Sequence, residues 1–110
     1  MIKWQVVERL EQLDDIQSDS FNSTQAIFKH STTCPISHMA KSRLENAWNI
    51  EGVAPYYLDL KSYREISNAI AEKWNVQHES PQIIIIRGGK AVFDESHLDI
   101  SVEAIAGSLT

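Results

Sequence analysis

Four isoleucines in a row, Ile83 to Ile86, stand between Pro81 and the pair Gly88-Gly89. All four are β-branched, and a short apolar run bounded by turn residues reads as a strand. Successive side chains of a strand point to opposite faces, so this run is apolar on both. It fits the middle of a sheet covered on each side, the arrangement of α/β domains. Gly88-Gly89 then makes a two-residue hairpin into a strand over residues 90–94.

The rest of the chain supplies the cover. Residues 4–7 read as a short strand, and residues 8–18 as a helix with Leu10, Leu13 and Ile16 on its buried stripe. After a polar break from Ser18 to Ser23, residues 25–30 form an apolar strand, and Ser31-Thr32-Thr33 a polar turn. From Cys34 the period is helical, with Ile36, Met39, Ala40, Leu44 and Ala47 on one face and Gly52 as the stop. A strand over 56–60 follows, then a helix over 61–74 on the stripe Tyr63, Ile66, Ile70 and Trp74, and a last helix over 100–109. The order is βαβαβαββα. Strands separated by helices imply parallel pairing with right-handed crossovers, and the hairpin adds an antiparallel strand. This is the order of the thioredoxin fold, an α/β fold whose mixed central sheet carries helices on both faces. With no repeat, linker or low-complexity tract, residues 1–110 read as a single domain.

Composition narrows the function. Ten Lys and Arg against fifteen Asp and Glu leave a net charge of -5, which argues against a nucleic-acid partner or an anionic membrane surface. No apolar run reaches the length of a membrane span, and MIKWQVVERLEQ lacks the apolar stretch of a signal peptide. A single cysteine makes no internal disulfide. The expectation is a cytoplasmic monomer in a reducing setting. The four histidines lack metal-ligand spacing, so no metal site is expected, and no Gly-rich phosphate loop precedes a helix.

Cys34 sits where a strand hands over to a helix, and Pro35 follows it. Proline is favoured at the first helical position, which makes Cys34 the N-cap. Its sulfur then faces the free N–H groups of Ile36 and Ser37, and these donors with the positive helix end favour thiolate, the nucleophile of disulfide exchange. A cysteine that only fills the core belongs on the apolar stripe, not at a polar turn before proline. Ser37 stands three residues on, where a dithiol exchanger carries its resolving cysteine. It forms no disulfide but can donate a hydrogen bond to the Cys34 sulfur. Pro81 opens the isoleucine strand, and sequence alone does not give its isomer. His38 lies one turn after Cys34 and reads as a solvated helix residue. Lys29 and Arg64 read as surface charges, with carboxylate contact as the alternative.

Four segments resemble the YtxJ-type monothiol bacilliredoxins, a branch of the thioredoxin superfamily: Phe28-Lys29-His30-Ser31-Thr32-Thr33-Cys34-Pro35-Ile36-Ser37, then Ser67-Asn68-Ala69-Ile70-Ala71-Glu72, then Val76-Gln77-His78-Glu79-Ser80-Pro81-Gln82, and Ser96-His97. The resemblance implies that Cys34 is the sole nucleophile, with Ser37 beside it, and that Ser80-Pro81 is a cis-proline element facing it. It implies that Thr33, Pro35, Ser80 and Pro81 line the thiol and substrate site. No bound cofactor is implied. The co-substrate is bacillithiol, a glucosamine–malate–cysteine thiol, and the reaction removes it from mixed disulfides on client proteins. The alternative is a non-catalytic binding module or redox sensor whose Cys34 is capped by a small thiol. A peroxide or arsenate reductase ranks below both, because the Cys34 loop holds no arginine for an oxyanion.

Overall fold

A computed structural model of the chain describes residues 2–109. Five strands form one mixed sheet, β1 (Gln5–Val6), β2 (Thr24–His30), β3 (Val53–Asp59), β4 (Gln82–Arg87) and β5 (Lys90–Ser96), in the spatial order β1-β3-β2-β4-β5. Four helices cover it: α1 (Glu11–Asp19), α2 (Pro35–Ala47), α3 (Arg64–Trp74) and α4 (Val102–Ser108). Ile83, Ile84, Ile85 and Ile86 are all fully buried. Their parity divides the core. Ile84 and Ile86 pack with Leu13 and Ile16 of α1 and Ile66 and Ile70 of α3. Ile83 and Ile85 pack with Ala40 and Leu44 of α2 and Val102 and Ile105 of α4.

The hairpin falls at Gly88 (φ 60°) and Gly89 (φ 79°), the double left-handed turn that glycine adopts at least cost. β5 runs on to Ser96, with a bulge between Ile85 and Ile86. β1 pairs parallel with β3, and β3 with β2, as expected. The strand after α3 departs from the expectation, for β4 is antiparallel to β2. β3 ends at Asp59, level with His30, and β4 starts at Gln82, level with Lys29, so the chain leaves and re-enters the sheet at one end. The 11 residues of α3 rise roughly 16 Å, and the irregular segment 75–81 reaches about 23 Å when extended, enough to walk that distance back. Asn75, left-handed at φ 54°, starts the return.

Three smaller expectations also shift. The first helix begins at Glu11, because the Gln12 side chain folds back to accept from the N–H groups of Glu8 (2.7 Å) and Arg9 (2.9 Å), which leaves Leu10 exposed. α2 stops at Ala47, short of Gly52, and its inward face is Ser37, Ala40 and Leu44, while Ile36, Met39 and Ala47 are exposed. The final helix starts at Val102, where Ser101 Oγ caps it by accepting from Ala104 N–H at 3.1 Å.

Candidate active site

β2 delivers the chain to the end of the sheet at His30. A turn over Ser31–Cys34 follows, closed by Cys34 N–H donating to Ser31 C=O at 3.2 Å. Cys34 is extended (φ -103°, ψ 118°), and Pro35 takes the first helical position. The Cys34 carbonyl accepts the first bond of α2, from His38 N–H at 3.1 Å. Cys34 is thus the N-cap that the proline predicts. Its free thiol is partly exposed. The sulfur makes no cap bond to the first-turn N–H groups, contrary to the sequence expectation. The first turn of α2 holds no acidic residue beside the thiol. Thr33 is exposed, and its Oγ1 accepts from Lys61 Nζ at 3.1 Å.

Ser37 does not reach the sulfur either. It is fully buried, and its hydroxyl is engaged on two sides. Oγ accepts from Ser31 N–H at 2.9 Å and bonds His30 Nδ1 at 2.7 Å. The position of a resolving thiol therefore holds a strut that ties the Cys34 turn to the end of β2. His30 is buried between Phe28 (ring centroids 5.9 Å) and Tyr57 (5.6 Å), with His38 edge-on at 4.7 Å. Burial, then the charges of His38 and Lys41, hold its pKa below the ordinary 6.5 against the pull of Asp59 and Glu45. His38 is exposed, as read from the sequence, and its Nε2–H donates to Thr32 C=O at 2.7 Å.

The Ser80-Pro81 peptide bond is cis. Gln82 is level with Lys29, and continuing that register sets Pro81 beside His30 and Ser80 beside Ser31, at the foot of the Cys34 turn. Pro81 is buried, and its carbonyl accepts from His97 N–H at 3.0 Å. His97 holds a positive φ of 56°, uncommon for a side-chain residue, where the chain leaves β5. Ser80 Oγ is buried with no partner among the described residues. Sequence reasoning missed Lys29 and His30. Lys29, read as a surface charge, is fully buried. Nζ donates to Ser67 C=O at 3.1 Å and to His78 Nδ1 at 3.2 Å. The available signal was their place in a strand buried on both faces.

A family model described as monothiol bacilliredoxin BrxC matches residues 5–105. This chain belongs to the monothiol bacilliredoxin family. Among solved structures it is similar to a thioredoxin-fold protein described as an oxidoreductase candidate, with 31% identity over 96% of this chain and 92% of the other at a TM-score of 0.84. It shares its fold with the thioredoxin of Malassezia sympodialis (15% identity, 99% and 90% covered, TM-score 0.73) and that of Trypanosoma brucei brucei (18%, 97% and 88%, 0.73). The bacilliredoxin chain is a thioredoxin-fold thiol–disulfide oxidoreductase, and its single cysteine makes it monothiol. No described helix is long and apolar enough to cross a membrane.

Proposed function

We propose that this bacilliredoxin removes bacillithiol from mixed disulfides on client proteins through Cys34. One observation carries the reading: the only cysteine is partly exposed at the start of a helix, and the position three residues on holds a serine whose hydroxyl is committed elsewhere. Cys34 thiolate attacks the bacillithiol sulfur of the mixed disulfide. The Cys34–bacillithiol S–S bond forms as the client–bacillithiol bond breaks, and the client leaves as thiolate, taking a proton from solvent. Ser37 lends no resolving sulfur, so a second thiol from solution, bacillithiol or a partner protein, attacks the bacillithiol sulfur on Cys34 and releases Cys34 thiolate. Bacillithiol is co-substrate, and the protein needs no bound cofactor. Thr33 and Pro35 flank the sulfur, and the backbone at Ser80 and Pro81 aligns the incoming disulfide. A reducing cytoplasm and a monomeric state suit this route.

The test follows intact masses of protein and a bacillithiolated client, with Cys34→Ser as control. Transfer of the bacillithiol mass from client to wild-type Cys34 is the expected result. If neither mass moves and a glutathione mixed disulfide also stays intact, exchange is wrong and a non-catalytic thiol-binding role replaces it.

A further inference from the structure

Behind the Cys34 turn, on the α1/α3 side of β2, lies a cationic cluster that the exchange step does not use. Lys29 Nζ is enclosed and donates to Ser67 C=O and to His78 Nδ1. An ammonium accepts no hydrogen bond, so His78 Nδ1 is the acceptor and the ring proton sits on Nε2. His78 is exposed, with Nδ1 tied inward and Nε2–H as its outer donor. Desolvation of its inner edge against Lys29 and Ser67, then the charges of Lys29 and Arg64, hold its pKa below 6.5 against Glu79. Arg64 stands three residues before Ser67 on the same face of α3, and the Ser67 hydroxyl lies 3.4 Å from His78 Nδ1. Arg64 opens α3, is exposed and meets no carboxylate among the described residues. Lys61, three residues earlier, is exposed and touches Thr33, the neighbour of Cys34.

Lys61 thus stands beside Thr33, Arg64 one turn before Ser67 on α3, and Lys29 and His78 against Ser67, at the sheet end that carries the Cys34 turn in a chain whose net charge is -5. The inner cation is expensive. Burial brings the Lys29 pKa from 10.5 down to about 8, and an apolar side chain would fill the same space without that cost. Its ammonium fixes the His78 tautomer and adds positive charge where little water screens it.

We propose that Lys61, Arg64 and His78, backed by Lys29, form a subsite for a carboxylate on the low-molecular-weight thiol that Cys34 exchanges. Resting on the exchange reading above, this names the chemistry the site selects: an anionic thiol over a neutral or cationic one. The carboxylate meets Lys61 and Arg64 at the surface and accepts from His78 Nε2–H while the thiol sulfur faces Cys34.

The test loads one client cysteine with 3-mercaptopropionate, 2-mercaptoethanol or cysteamine and measures the rate of transfer to Cys34 for each at low salt. Wild type is expected to prefer the anionic thiol. Each exposed cation contributes about two- to fivefold, so Lys61→Gln with Arg64→Gln lowers the anionic-to-neutral rate ratio by roughly tenfold. His78→Leu lowers it further, and His78→Gln, which keeps an N–H donor, restores part. Lys3→Gln with Lys90→Gln removes the same charge at the opposite end of the sheet and leaves the ratio unchanged. If all three thiols transfer but the ratio ignores the Lys61 and Arg64 changes, or falls equally with the remote pair, the subsite is wrong and exchange stands. Transfer of none removes both.

Discussion

Replacing Lys29 with methionine is predicted to make the protein more stable at neutral pH. Lys29 is fully buried, and its pKa falls from 10.5 to about 8 through desolvation. At about 1.4 kcal/mol per pKa unit, keeping the ammonium charged in the fold costs about 3.5 kcal/mol. The folded pKa lies below the unfolded one, so the cost is fully present below pH 8. It is relieved as pH rises from 8 towards 10.5, because the folded chain sheds the proton before the unfolded chain does. Lys29→Met removes the charge but takes a donor from Ser67 C=O and from His78 Nδ1, which keeps Ser67 Oγ at 3.4 Å, so the net gain at pH 7 is about 1–3 kcal/mol. Between pH 7 and pH 10 the gap between variant and wild type closes by about 2 kcal/mol or more. Urea unfolding followed by the fluorescence of Trp4, Trp48 and Trp74 reads both quantities. In a thermal scan the pH 7 difference is about 4 °C per kcal/mol. A variant less stable than wild type at pH 7, or a gap that does not change with pH, would refute the argument.

Ser37→Ala leaves the half-buried Ser31 N–H and the buried His30 Nδ1 without their shared partner, and a loss of about 1–3 kcal/mol in urea unfolding is expected. No loss would mean that water replaces the strut. Gly89→Ala places a Cβ 2.7 Å from both Phe21 Cζ and Gln17 Nε2, whereas at Gly52 it meets open space, although φ is positive at both. Gly52→Ala therefore costs only the backbone term, about 1 kcal/mol, and Gly89→Ala measurably more in the same thermal scan. Burial holds His30 and His78 below their ordinary pKa, so the unfolded chain takes up protons first as pH drops through 6.5. Stability is expected to fall from pH 7 to pH 5.5, less steeply in His30→Gln, and identical slopes would count against it.

The features legible in the sequence were those with local causes. Four β-branched residues between a proline and two glycines decide a strand buried on both faces, and Pro35 decides which residue caps α2. The antiparallel entry of β4 had no such signal, since it depends on where segment 75–81 returns the chain. The inward face of α2 was misread for a related reason. The expected apolar stripe put Ile36 and Met39 inside, but the first turns of α2 stand at the end of the sheet, where Ser37 faces His30 and the two apolar residues face out. Lys29 and His30 were missed because residue type outweighed place. A strand with α1 and α3 on one face and α2 and α4 on the other buries whatever side chain it carries.

Place then marks the site by cost. Burying a polar group is unfavourable unless it is bonded, so polar residues in a core call for a reason. The buried polar residues here are Ser20, Gln25, Lys29, His30, Ser37, Ser67 and Gln82. Ser20 and Gln25 lie towards the hairpin: Ser20 C=O accepts from Gly88 N–H, and Gln25 is level with Ile86. The other five meet at the opposite end, where β2 runs into the Cys34 turn. Strand parity sorts them, because Lys29 and His30 are neighbours in β2 and must point to opposite faces. His30 bonds Ser37 under α2, and Lys29 bonds Ser67 and His78 under α3. One strand end thus holds a neutral strut on one side of the turn and a buried cation on the other. An apolar end to β2 would satisfy the core at lower cost but would supply neither the tie that holds the Cys34 turn nor positive charge beside it.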